Sequence, residues 1–178
     1  MLYARIPQER IGVLIGPGGE TKRRIEAETR VKVLVDSETG EVTIDESAAR
    51  DAFFAIKVRD LVLAIGRGFS EERAFRLLDE NTYFAVLDVK DYARSPARVA
   101  QVKSRLIGTR GKTRRIVEDL TGADVSVYGH TVAIIADDLQ LPIAQEAIEM
   151  LLRGSEHATV YRFLERKRAD LKVAEMGF

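Results

Sequence analysis

The sequence predicts an α+β protein made of two copies of one small domain, each ordered strand, helix, glycine loop, helix, strand, strand, helix. Three observations lead there. "LIGPGGETKRRIEAETRVKVLV" from Leu14 reappears without a gap as "LIGTRGKTRRIVEDLTGADVSV" from Leu106, a displacement of 92 residues. Leu14, Ile15, Gly16, Gly19, Thr21, Arg23, Glu26, Thr29 and Val33 each fall on an identical residue, and a period this long points to duplicated domains rather than to a solenoid. In both copies glycines interrupt an apolar run and cations follow at once. The flanking segments switch between the alternation of strands and the wider apolar spacing of helices.

In the first copy "LYARIP" (Leu2 to Pro7) alternates like a strand and stops at a proline, and "QERIGVLI" is a short helix running into the glycines. After Gly19, "ETKRRIEAET" places Thr21, Ile25 and Glu28 or Thr29 along one helical face, with cations on the neighbouring face. "VKVLVDSETGEVTID" gives two strands, Val31, Val33 and Val35 on one side, joined by a turn at Asp36 to Gly40. A long helix is expected from Ser47, with Ser47 as its N-cap. "SEERAFRLLDE" (Ser70 to Glu80) predicts one more helix, bridging the copies.

The second copy repeats the order. "YFAVLDVKDYA" (Tyr83 to Ala93) supplies the strand, and "SPARVAQVKSRLI" has a serine cap and a proline in its first turn. A helix to about Leu120 follows Gly108 to Gly111. Strands are expected near Asp124 to Tyr128 and Thr131 to Ala136, turning at Gly129 and His130, then a helix from about Leu139 to Arg153. "SEHATVYRFLERKRADLK" adds a terminal helix without a counterpart placed in the same way in the first half; Val160, Tyr161 and Leu164 give it a face to pack on its own domain. The expected domains are residues 1–80 and 81–178.

Composition narrows the chemistry. Lys plus Arg equals Asp plus Glu at 28 each, so attraction to a polyanion must come from local clustering. Cysteine is absent, which excludes disulfides, thiolate zinc sites and cysteine nucleophiles. His130 and His157 are the only histidines, too few for a histidine metal cage. The first residues lack the order of a signal peptide, and no apolar run approaches the ~20 residues of a membrane helix. The expectation is a soluble cytoplasmic protein with no membrane association, metal, cofactor or catalytic residue.

What the glycine loops could hold follows from their chemistry. Glycines lack Cβ and let a backbone approach closely, and the helix that follows aims its free N–H groups and positive dipole end the same way. Lys22, Arg23 and Arg24 lie beside one loop; Arg110, Lys112, Arg114 and Arg115 lie in and beside the other. Both sites suit phosphates. "GKT" at Gly111 to Thr113 also ends a nucleotide-binding loop, but the first glycine of that motif would fall on Leu106, and a helix rather than a strand leads in. Ser47, Ser70, Ser95 and Ser155 look like caps and turns, and His130 like a polar turn residue.

Loop, element order and duplication together resemble the KH domain of the eukaryotic type (type I), an RNA-binding module of order β-α-α-β-β-α with Gly-x-x-Gly between its first two helices. The matching residues are Gly16, Pro17, Gly18 and Gly19, and Gly108, Thr109, Arg110 and Gly111. The resemblance implies that each loop, with Lys22 and Arg23 in one copy and Lys112, Arg114 and Arg115 in the other, clamps about four nucleotides of a single strand. Arg110 inside its loop makes the second copy the stronger candidate. KH sequences carry an apolar residue six positions after the first loop glycine, where this chain has Lys22 and Arg114. That departure, two KH copies and "LLRGSEHATVYRFLERKR" (Leu151 to Arg168) resemble the Dim-two or partner-of-Nob-one family of ribosome-assembly factors, with the Krr-one factor a near relative. The resemblance implies binding of small-subunit ribosomal RNA precursor near its 3′ end, beside the Nob-one endonuclease and without nuclease activity. A general single-strand RNA-binding regulator and a protein-interaction scaffold are the readings from other classes.

Overall fold

Each half of the chain builds a three-stranded antiparallel sheet packed against helices; in the first half burial alternates along the strands, whereas residues 131–136 of the central strand in the second half are buried throughout. Val31 and Val33 are fully buried while Lys32 and Leu34, which alternate with them, are exposed. The structure, a computed structural model, describes residues 1–177; Phe178, the last residue of the expected second domain, lies outside them. Backbone contacts divide the chain into two units between Glu80 and Asn81.

The first unit consists of β1 (Leu2–Arg5), α1 (Gln8–Ile15), α2 (Glu20–Thr29), β2 (Lys32–Val35), β3 (Glu41–Asp45), α3 (Ala52–Gly66) and α4 (Glu71–Phe75). Its sheet has the order β1-β3-β2, with Val33 opposite Ile44 and Val35 opposite Val42. Thr21, Ile25 and Thr29 form the buried stripe of α2. In the second unit β4 (Thr82–Asp88), α5 (Pro96–Ile107), α6 (Lys112–Thr121), β5 (Asp124–Tyr128), β6 (Thr131–Asp137), α7 (Gln140–Leu152) and α8 (His157–Glu175) follow one another. Its sheet order, β4-β6-β5, is the same, and Val125 faces Ile134. Leu106, Val117, Val125, Ile134, Ile148 and Leu164 meet in its core. Ser95 caps α5 by accepting from the N–H of Arg98 at 3.1 Å, with Pro96 in the first turn.

Three expectations need correction. The third helix starts at Ala52, not near Ser47, because Asp51 is the cap and accepts from the N–H of Phe53 at 3.0 Å. Ser47 instead donates its N–H to Asp45 in a turn. The segment from Ser70 is not one bridging helix: α4 gives way to a single 3-10 turn, Arg76–Leu78, and both pieces pack on α3 within the first unit.

The terminal helix also has a counterpart, namely α4. Arg67-Gly68 precedes α4 and Arg153-Gly154 precedes α8, with Gly φ of 99° and 98°. Arg10 donates to the carbonyls of Ile65 and Phe69, and Arg105 to those of Leu151 and Ser155. The acceptors correspond at a displacement of 86 residues (65 to 151, 69 to 155), and the donors lie on the equivalent helices α1 and α5, about one turn apart in the repeat register.

Carboxylates close the turns. Asp36 accepts from the N–H groups of Glu38 and Thr39 at 2.9 and 3.2 Å, and Asp45 from that of Ser47 at 2.9 Å. Donation from the backbone of Glu38 and of Ser47, respectively, holds each carboxyl below its ordinary range. A depressed folded-state pKa adds stability above the ordinary carboxylate value, and that stability is lost as pH falls through the folded value. Thermal unfolding over the acid range should therefore show a decline that is shallower in an Asp36→Asn/Asp45→Asn variant. Parallel pH profiles for the two proteins would contradict this.

Candidate nucleic-acid interface

The two glycine loops adopt one backbone conformation. Gly16 and Gly108 sit at φ 75°, ψ 170° and φ 75°, ψ 172°. Gly18 and Arg110 are at φ 59°, ψ 21° and φ 54°, ψ 30°, and Gly19 and Gly111 at φ 78°, ψ 15° and φ 75°, ψ 16°. Each first glycine closes on a buried threonine of the next helix. A Cβ on Gly16 would lie 2.8 Å from the Thr21 nitrogen, and one on Gly108 2.7 Å from that of Thr113. Only glycine satisfies both the backbone angles and the contact.

Within the two loops Arg110 is the one non-glycine residue in the left-handed region; the other among the described residues is Arg30, which ends α2. A left-handed backbone at a residue with a side chain costs roughly 1–2 kcal/mol, and glycine in the same place of the first loop avoids most of it. The second loop also has a backbone N–H at Thr109 where Pro17 has none. Behind each loop a cation holds a loop carbonyl: Arg23 donates to Gly18 O at 2.7 Å and Arg115 to Arg110 O at 2.8 Å. These arginines stay exposed, as do Arg110 and Lys112. The first amides of α2 and α6 lack intrahelical acceptors and point out of the same ends.

Lys22 and Arg114 are placed differently. They turn along their helices into ion pairs, Lys22 with Glu26 Oε1 at 3.7 Å and Arg114 with Glu118 Oε1 at 2.9 Å. The second oxygen of each carboxylate accepts from an edge strand, Glu26 from Val33 N at 3.2 Å and Glu118 from Val125 N at 3.0 Å. The cation six positions after the loop glycine is therefore part of a bridge between helix and sheet in both copies. Spacing alone pairs these glutamates only with cations one turn away on their own helices. Glu26 and Val33 recur in register as Glu118 and Val125, but their contact is set by how each helix lies along the sheet edge. Arg24 is also absorbed: it pairs with Glu28 and Glu71 at 2.9 and 3.5 Å and lies 3.9 Å over the Phe75 ring.

His130 sits in the β5–β6 turn with Nδ1 2.9 Å from Asp88 Oδ1, both partly exposed. Among the described residues no cluster of three metal-ligating side chains occurs, and no helix is long and apolar enough to cross a membrane.

Comparison with known proteins decides the family. Residues 83–169 match the model for the second KH domain of Pno1, described as a eukaryotic-type KH domain (type I), and residues 3–57 match a general KH-domain model. A KH domain-containing protein of Methanocaldococcus jannaschii is 48% identical over 171 residues, 96% of this chain and 75% of that protein. Dim2p of Pyrococcus horikoshii, solved as a complex of a/eIF2alpha, aDim2p and rRNA, superposes with a TM-score of 0.88 at 50% identity, covering 95% of this chain and 94% of that one. The chain belongs to the Dim2 and Pno1 family of two-KH proteins. A more distant relative is the pre-rRNA-processing protein pno1 of Aspergillus fumigatus, 29% identical over 141 residues. That match covers 78% of this chain and about half (54%) of the fungal protein. With this family comes an RNA-binding fold, its two Gly-x-x-Gly motifs located at Gly16–Gly19 and Gly108–Gly111.

Proposed function

We propose that this Dim2-like protein is a non-catalytic RNA-binding factor of small-subunit assembly, clamping single-stranded ribosomal RNA precursor near its 3′ end. The observation that carries the reading is Arg110, an exposed cation kept in a left-handed backbone conformation at the tip of a glycine loop. Strained positions persist where function requires them. The solved rRNA complex of the Pyrococcus relative and the pre-rRNA-processing role in the name of the Aspergillus relative support the choice of RNA.

Residues 1–80 and 81–178 act as first and second KH domains in this reading. Gly108, Thr109, Arg110, Gly111, Lys112 and Arg115 hold the sugar-phosphate chain, and Arg114 fixes α6 against β5 beside it. Gly16, Pro17, Gly18, Gly19 and Arg23 extend the track in the first copy, with Lys22 in the matching bridge. Two linked clamps on one strand gain affinity because the second contact is intramolecular. The protein works in the cytoplasm, alongside the Nob-one endonuclease that makes the final cut.

A panel of short RNAs tiling the 3′ end of the small-subunit precursor, with scrambled controls, tests this. Selective binding to one or two adjacent tiles is expected. Equal binding to scrambled RNA would favour a general regulator, and no binding would leave a protein scaffold.

A further inference from the structure

Beside the second loop, α8 presents a surface that the glycine motif does not include. The helix is anchored there: Tyr161 OH and Thr113 Oγ1 are 3.0 Å apart, and Thr113 is the residue on which Gly108 closes. His157 Nε2 lies 2.9 Å from the carbonyl of Arg105 in the last turn of α5. Its ring stacks on Tyr161, with centroids 6.0 Å apart and planes 11° from parallel. Val160 and Leu164 are buried in the domain core, which fixes the helix's rotation.

On the outer side of this anchor Thr159, Tyr161, Arg162, Glu165 and Arg166 line an open cavity of about 520 Å³. Arg162 and Arg166 are exposed and one turn apart, a rise of about 6 Å, comparable to one nucleotide step in an extended strand. Arg162 Nη2 is 3.5 Å from Thr159 Oγ1, and among the described residues neither arginine has a carboxylate partner. The first copy offers nothing similar. Its α4 ends at Phe75, and where Tyr161 meets Thr113 it sets Glu71 on Thr21, at 2.9 Å. The second copy has a neutral phenol in place of that carboxylate and a helix long enough to add two free cations.

We propose that this face of α8 is an auxiliary backbone-binding site for the RNA strand leaving the second loop, with Arg162 and Arg166 on successive phosphates and Tyr161 as the wall behind them. The inference rests on the second loop clamping RNA.

The test compares wild type with Arg162→Ala/Arg166→Ala on a core RNA of about four nucleotides, the span a KH loop holds, and on the same core extended at its 5′ or its 3′ end. Wild type should gain affinity from one of the two extensions. The variant should bind the core as wild type does and lose that gain. Its log-affinity against log-salt slope on the extended RNA should be shallower by about 1.4, at ~0.7 per released phosphate contact on a single strand. Equal gain and equal slope in both proteins would overturn the α8 site while leaving the loop reading intact. Failure of wild type to bind the core at all would remove the loop reading, and this site with it.

Discussion

Gly108→Ala is expected to lower the stability of the second domain by about 3 kcal/mol, from an almost glycine-only backbone region plus overpacking. At φ 75°, ψ 172° an L side chain is strained, and its Cβ would lie 2.7 Å from the Thr113 nitrogen. Thr113 cannot retreat, being 2% exposed and bonded to Tyr161. Gly16→Ala should behave alike against Thr21. Gly18→Ala is the control: nothing lies within 4 Å of a Cβ there, so only the left-handed backbone is penalised, by roughly 1 kcal/mol. Thermal or denaturant unfolding of the three variants checks the ranking, and equal losses at positions 16 and 18 would contradict it.

Arg110→Gly should move stability and binding in opposite directions. Removing the side chain relieves the backbone at φ 54° and raises stability by about 1 kcal/mol. It also removes a charged donor from the loop tip and should weaken RNA binding roughly tenfold. A variant that is both more stable and a tighter binder would show that the arginine has no role in holding RNA.

Much of this was legible in the sequence because the repeat is gapless where the loops are. Gly16, Gly19, Thr21, Arg23 and Glu26 fix a loop, a closing contact and a bridge at constant spacing in both copies, so the site's backbone could be placed from spacing alone. What followed the second strand was harder to read. The β-turn is two residues shorter in the second copy: Val33 pairs with Ile44, but Val125 with Ile134. By the end of the third helix the displacement has shrunk from 92 to 86, which hid the equivalence of α4 and α8. Ser47 and Asp51 are both acceptable caps by residue type, and the competing turn at Asp45 decided between them. The pairing of Arg114 with Glu118 was visible as an i,i+4 spacing. That Glu118 also reaches Val125 depends on how α6 lies along the edge of the sheet, which no local pattern encodes.

The most direct measurement is a salt-dependent titration of the RNA tile that wild type prefers against wild type, Gly18→Asp and Arg110→Asp, with folding of each variant confirmed by thermal unfolding. A carboxylate at a loop tip faces the phosphates, so Arg110→Asp should lower affinity roughly a hundredfold and flatten the salt dependence. Gly18→Asp should produce a smaller loss if the first copy extends the track. Folded variants that bind with wild-type affinity and wild-type salt dependence would contradict the clamp, and RNA would have to be held elsewhere on the protein.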